Sequence, residues 1–159
     1  MQGTGMYIWS DNKEFYYGEW IKDRREGKGL YVWEDGYVYQ GNFKDNQKND
    51  EDGYIYCDLE NINNNSEYNN LKPLNKEEMD KLNEFNDFYY YKGGFKDDYR
   101  YGKGTILYKD LTLYTGSFEQ SKKNGDGELF EIIKDEDTII KKLKHKGQWK
   151  DNKYIDATQ

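Results

Sequence analysis

The chain has one histidine, His145, and one cysteine, Cys57, among 159 residues. No His-Cys metal cluster can be assembled from such a set, and a Ser-His-Asp or Cys-His mechanism lacks its parts. Asp50, Asp52 and Gly53 imitate part of a calcium loop. Its first ligand would be Lys48 and its twelfth Leu59, so both ends fail. Gly27-Lys28-Gly29 is no dinucleotide fingerprint, because Val32 stands where the third glycine belongs and no helix is expected to follow. No phosphate-binding loop of the G-x-x-x-x-G-K-[S/T] type is present. With 31 acidic residues, carboxylate pairs can be found anywhere and carry no weight. The residues thus point away from an enzyme, and no cofactor or metal is expected.

What recurs is aromatic and glycine. An aromatic-x-Gly-x-aromatic phrase occurs five times: Tyr16-x-Gly18-x-Trp20, Tyr39-x-Gly41-x-Phe43, Tyr91-x-Gly93-x-Phe95, Tyr114-x-Gly116-x-Phe118 and His145-x-Gly147-x-Trp149. A Gly-x-Gly doublet is phased to it at Gly3/Gly5, Gly27/Gly29, Gly102/Gly104 and Gly125/Gly127. In three units the second glycine follows the phrase by nine residues; in the third, Asp50-Glu51-Asp52-Gly53 replaces the doublet. Fixed spacing on this scale marks a stack of small similar units.

Each unit reads as a hairpin. Leu30 to Trp33 and Tyr37 to Phe43 are β-rich runs around Glu34-Asp35-Gly36. Alternation puts Tyr37, Tyr39, Gly41 and Phe43 on one face, with Thr112, Tyr114, Gly116 and Phe118 as their counterparts. The glycine leaves a gap between two rings. Either a ring from a neighbouring hairpin fills it, or two backbones approach closely there. Length variation falls between the doublet and the next phrase, where a solvent-facing tip tolerates it.

These residues resemble the MORN repeat (membrane occupation and recognition nexus), from about Gly3 to Trp149. Where that family commonly has glycine three residues after Trp or Phe, this chain has Asp23, Asn46, Asp98, Ser121 and Asn152. Asn and Asp tolerate positive φ best after glycine. The expected fold is all-β: one elongated, twisted antiparallel sheet of five stacked hairpins, at about 3–20, 27–43, 53–95, 102–118 and 125–149, forming one domain over 1–159. A short helix is expected in the third hairpin.

The third hairpin carries an insertion, about 58–87. Its first part, 61–70, is Asn-rich and polar. Asn75-Lys76-Glu77-Glu78 then forms a capping box, and Met79, Leu82 and Phe85 make an amphipathic stripe. A helix over about 76–85 follows, lying on the domain's own sheet or offered to a partner. The fifth tip, about 131–144, is charged, and leads into the basic run Lys141, Lys142, Lys144 and Lys146 around Leu143 and His145. That run is either a solvated strand or an attraction for acidic lipid. His145 stands at a repeat aromatic position, so packing is its expected role.

Composition narrows the partners. Aromatics are 18% of the chain, with 17 Tyr, and hydrophobic residues are only 35%. The formal net charge is −7. An acidic chain is a poor general nucleic-acid binder and a poor electrostatic membrane clamp. One cysteine gives no intrachain disulfide, and no apolar run reaches membrane-helix length. Asn64-Asn65-Ser66 is a glycosylation sequon in an Asn-rich stretch and reads as chance. No leader is legible over Met1 to Tyr7, so the cytoplasm is the expected compartment.

A strip of hairpins offers a long surface of rings, and Tyr is favoured in recognition. The expected contacts with a protein partner are Tyr16, Tyr39, Tyr91, Tyr114 and Trp149, with Trp33 and Tyr37 secondary. If the next hairpin covers these rings, they are core instead. The resemblance implies a scaffold or adaptor at cytoskeletal or membrane-associated structures, with a partner helix such as a cytoskeletal or motor protein would supply, or a homodimer. The sheet's unpaired ends also favour self-association. The alternatives are acidic-phospholipid binding through Lys141, Lys142, Lys144 and Lys146, and a regulatory segment of a larger enzyme.

Overall fold

A computed structural model of the protein describes residues 1–9, 13–57, 87–135 and 138–156. The strands, in chain order, are β1 (Gly3–Ile8), β2 (Phe15–Ile21), β3 (Arg24–Val32), β4 (Tyr37–Lys44), β5 (Gln47–Lys48), β6 (Asp50–Cys57), β7 (Phe88–Lys96), β8 (Tyr99–Tyr108), β9 (Thr112–Glu119), β10 (Lys122–Asp135), β11 (Thr138–Lys150) and β12 (Lys153–Ile155). They form one open antiparallel sheet in sequence order, β1 to β4 and then β6 to β12, with β5 paired to β4 alone. The all-β expectation holds. Among the described residues the sheet has twelve strands, because β5 and β12 extend the turns that follow Phe43 and Trp149. The helix expected over 76–85 lies outside the described residues.

The glycines share one register. Gly5 faces Gly18 and Gly18 faces Gly29, which faces Gly41. On the other side of the β4–β6 junction, Gly53 faces Gly93, followed by Gly104, Gly116, Gly127 and Gly147 in successive strands. The two glycines of a doublet serve different ends. The first lies in the bulged stretch and takes positive φ, +64° at Gly27 and +73° at Gly102. The second joins the glycine row.

The turns that link one unit to the next have two consecutive residues at positive φ, as a type I′ turn requires. The second of each pair is Asp23, Asn46, Asp98, Ser121 or Asn152, at φ +63° to +73°. Their side chains do more than tolerate the conformation. Asn46 Oδ1 accepts from Arg25 N (2.9 Å), while Asn46 N donates to Arg25 O (3.1 Å). Asp98 makes the same double link to Lys48, Ser121 to Arg100 and Asn152 to Lys123. Glycine would supply the φ but not the acceptor.

Candidate binding surfaces

The repeated tyrosines do not line an open groove. Tyr16, Tyr39, Tyr91 and Tyr114 are 0% exposed, and Trp149 and Tyr37 are buried with them. Each tyrosine ring lies flat over the glycine two residues ahead on its own strand and over a glycine of the next strand. A Cβ on Gly104 would stand 2.6 Å from Tyr91 Cζ, and one on Gly41 2.7 Å from Tyr39 Cζ. The gap between the two rings of a phrase is therefore filled by the phrase's own tyrosine, not by a ring from a neighbouring hairpin. Each hydroxyl then donates to the carbonyl three residues on: Tyr16 to Glu19 (3.1 Å), Tyr39 to Asn42 (3.0 Å), Tyr91 to Gly94 (2.8 Å) and Tyr114 to Ser117 (3.0 Å).

The rings make a ladder along the sheet. Tyr16 meets Trp20 and Phe43 edge-on, both at 5.1 Å between centroids; Tyr39, Tyr91 and Tyr114 repeat the pattern, ending at Trp149 (5.3 Å). Edge-to-face pairs add about 0.5–1.5 kcal/mol each beyond their burial. Burial pushes the hydroxyl of Tyr16 up to about 12, and that of Tyr114 likewise.

A second repeated position closes this face. A cation stands five residues after the Trp or Phe of the first four phrases: Arg25, Lys48, Arg100 and Lys123. Arg25 Cζ lies 5.0–5.8 Å from the centroids of Tyr31, Phe43 and Tyr16. Lys48 Nζ lies over Trp33 at 5.3 Å and over Tyr39 and Phe95 at 6.0 Å. Arg100 covers Phe88, Tyr91 and Phe118. Lys123 covers Tyr108, Tyr114 and Trp149, and burial lowers its ammonium pKa. Each cation caps three rings, an arrangement that is favourable when desolvated. The constant five-residue spacing was available in the sequence as a signal. Trp33, half-buried under Lys48 and 4.6 Å from Tyr31, is the sequence-predicted ring left with accessible surface.

The opposite face buries a small apolar cluster, Phe15, Val32 and Val38, over β2 to β4, and is open and charged over β6 to β11. Over the glycine row runs a trough of about 700 Å³, lined among others by Asp52, Lys92, Lys103, Asp126, Glu128 and Lys146. Lys92 pairs with Asp52 at 3.5 Å and Lys146 with Glu128 at 2.8 Å. Lys103 Nζ donates to Ser117 Oγ (2.8 Å), and the Thr105 and Thr115 hydroxyls bond each other (3.0 Å). A second hollow of about 820 Å³, lined by Lys96, Tyr101 and Asp50 among others, adjoins it and shares Glu51 and Lys103. Tyr17, Tyr99 and Tyr101 are about half exposed. Sequence reasoning passed over these residues because they alternate with the repeat signature and vary between units.

Lys141, Lys142, Lys144 and Lys146 are all exposed on β11. The structure does not gather them on one face. Lys141 sits opposite Ile132 and Lys142 opposite Glu131, so these two neighbours project to opposite sides of the sheet. Lys141 Nζ stands 3.8 Å from the Phe130 centroid. His145 is exposed and stacks on Tyr154 at 4.5 Å. Among the described residues, no group of three or more His, Cys, Asp or Glu is placed to hold a metal ion.

A single sheet of phased hairpins, with a glycine row roofed by rings, defines a β-hairpin repeat protein. The family model of the MORN repeat matches residues 16–36, 39–49 and 91–112, and the chain is a MORN-repeat protein. The Tyr114 and His145 phrases lie outside those segments, yet Tyr114 reproduces the ring geometry in full. No curated protein matches the chain. MORN repeats are generally protein- or membrane-binding and typically non-catalytic.

Proposed function

We propose that the protein is a non-catalytic, protein-binding scaffold whose contact surface is the charged trough over the glycine row. The observation that carries this is the division of the sheet into two faces. One is sealed by rings and cations; the other holds, over β6 to β11, an open trough of about 700 Å³ with both signs of charge. Interleaved lysines and carboxylates suit a polypeptide, which offers both signs and main-chain groups, better than a uniformly anionic ligand. The exposed tyrosines of that face would extend the contact. The proposed place of action is the cytoplasm, at cytoskeletal or membrane-associated structures, which tagging the protein in its source cells would test.

Acidic-phospholipid binding is the second reading. Lysines 141, 142 and 144 favour it, together with Ile139 and Ile140, which are 73% and 50% exposed. Their projection to both sides of the sheet and the net charge of −7 weigh against a flat basic membrane face. The test compares capture from source-cell lysate by the wild-type chain and by the Lys92→Glu/Lys103→Glu double variant, both shown folded by circular dichroism. A protein retained by the first and lost by the second supports the trough. Equal capture by both overturns it. Binding to anionic vesicles that falls steeply with salt, with no protein enriched, moves the lipid reading ahead.

A further inference from the structure

We infer that the charged trough takes a second copy of this chain, the two sheets packing face to face about a two-fold axis that runs along the strands between β8 and β9. The inference rests on the trough being a protein-binding surface and names its occupant. Two rows of side chains cross this part of the open face. One is polar: Lys92, Thr105, Thr115, Glu128 and Lys146, each opposite the next in the successive strands β7 to β11. Beside it, nearer the hairpin tips, runs an apolar row in the same register: Tyr90, Leu107, Leu113, Phe130 and Leu143. Leu143 is 48% exposed and the other four are half-buried. The described strands all belong to one sheet, so no second layer of them covers these rows.

A two-fold axis at that place exchanges β8 with β9 and β7 with β10, and each position then meets a complementary one. Lys92 of one copy comes opposite Glu128 of the other, and Glu128 opposite Lys92. Within each copy Lys92 already pairs with Asp52 at 3.5 Å, and Glu128 with Lys146 at 2.8 Å. The contact therefore joins two pairs into a run of four alternating charges, and the symmetry makes it twice. In the apolar row Leu107 meets Leu113 and Tyr90 meets Phe130. Packed sheets lie about 10 Å apart, a gap that an extended lysine and glutamate span together. Thr105 and Thr115 are shorter and leave room between the copies for bridging water.

Charge also chooses the orientation. An axis across the strands would set Lys92 against Lys92 and Glu128 against Glu128. Three lysines and four carboxylates line the trough, so it carries little of the net charge of −7 that would drive two copies apart. A patch of five strands and three rows of side chains measures about 24 Å by about 20 Å, near the lower limit of specific interfaces, which sets the expected affinity in the micromolar range.

Sedimentation velocity of the intact chain, from about 1 µM to about 500 µM, should show a monomer–dimer equilibrium. Lys92→Glu sets glutamate against glutamate, and Glu128→Lys sets lysine against lysine. Each variant, shown folded by circular dichroism, should dimerise at least about tenfold more weakly than the wild type. Mixed in equal amounts, the two should associate at least about tenfold more tightly than either does alone, because every contact then pairs a lysine with a glutamate. Residues 92 and 128 stand three strands apart in one chain, so mixing repairs no contact within a copy. A wild-type chain that stays monomeric throughout overturns the proposal. So does a dimer that neither substitution weakens, or a pair of variants that mixing does not rescue. A monomeric wild-type chain that still captures another protein, lost in the Lys92→Glu/Lys103→Glu variant, removes the second copy and leaves the trough as a surface for a different partner.

Discussion

The interior repeats and the last repeat solve the same packing problem from opposite sides. At Tyr114 the ring comes from the strand that carries the first glycine, lies over Gly116 and Gly127, and anchors its hydroxyl on Ser117 O. Lys123 caps it. At the last repeat His145 holds the tyrosine's place, and an imidazole carries no hydroxyl to anchor. The ring near Gly147 is instead Tyr154, at the position where the other units have their cation. Its atoms would stand 3.4 Å from a Cβ there, and its hydroxyl bonds Lys146 O at 3.2 Å. In both kinds of repeat a phenol therefore lies against the glycine row, supplied from one side or the other. The interior is tight because each ring is held by two glycines and a cation. The last unit is looser, with Tyr154 at ordinary contact distance from Gly147.

The comparison breaks most completely at high pH. Burial holds the hydroxyls of Tyr16, Tyr31, Tyr108 and Tyr114 up at about 12. A tyrosine with a folded pKa above its unfolded value of about 10 favours the folded state fully below pH 10 and progressively loses that contribution as pH rises toward 12. The sheet should therefore unfold cooperatively between about pH 10 and 12, with tyrosinate absorbance rising in the same step that far-ultraviolet circular dichroism is lost. Ionisation of the buried rings with the sheet intact would show that they are not sealed.

The next effect in size is steric. Gly104→Ala brings a Cβ to within 2.6 Å of the Tyr91 ring, which Phe95 and Phe118 hold in place at 5.1 and 5.2 Å. Overpacking of this kind costs about 3 kcal/mol or more. Gly5 lies at the outer strand with no tyrosine over it, and its nearest neighbour, Met1 Sδ, would be 3.6 Å away. Gly5→Ala should cost under about 0.5 kcal/mol. Urea unfolding of both variants measures the gap; equal losses would mean that the ring-over-glycine unit is not what makes the interior rigid.

A hydroxyl deletion probes the anchor alone. Tyr114→Phe keeps the ring and leaves the Ser117 carbonyl without that donor, for a loss of about 1–2 kcal/mol. His145→Phe keeps a ring stacked on Tyr154 and should change stability by less than about 0.5 kcal/mol. If both behave alike in thermal melts, the hydroxyl bonds contribute nothing that separates the two kinds of repeat.

Much of this was legible before any coordinates. The phased Tyr-x-Gly and Gly-x-Gly spacings define the strand order and the row of glycines, and Asp23, Asn46, Asp98, Ser121 and Asn152 do occupy positive φ. What the pattern could not convey was which side of the ring faces water. Alternation places Tyr39 and Gly41 on one face but does not say that the phenol bends back over its own strand. For that reason Tyr16, Tyr39, Tyr91 and Tyr114 read as a binding groove when they are the core. Arg25, Lys48, Arg100 and Lys123 were readable by spacing and were overlooked, because single charged residues look like solvated surface until three rings are found beneath each. Lys92 and Lys103 carry no repeat signal, and only strand pairing brings them into the trough.

The smallest effect tests the turns, where the units are joined rather than roofed. Asn46 stands at φ +69° and accepts from Arg25 N, while its own N–H donates back to Arg25 O. Alanine there loses the acceptor and also strains the backbone, so Asn46→Ala should lower stability by about 1–2 kcal/mol. Glycine removes the strain and loses only the acceptor, so Asn46→Gly should cost under about 1 kcal/mol. Asn152 makes the same pair of bonds to Lys123 at the end of the sheet, 2.8 and 3.0 Å. Among the described residues the turn there holds only β12, whereas Asn46 lies between complete units. Asn152→Ala should therefore cost less than Asn46→Ala and speed amide exchange in β12 without loosening β9. If the two alanine variants lose the same stability, the turn links are local, and the rings alone carry cooperativity from one repeat to the next.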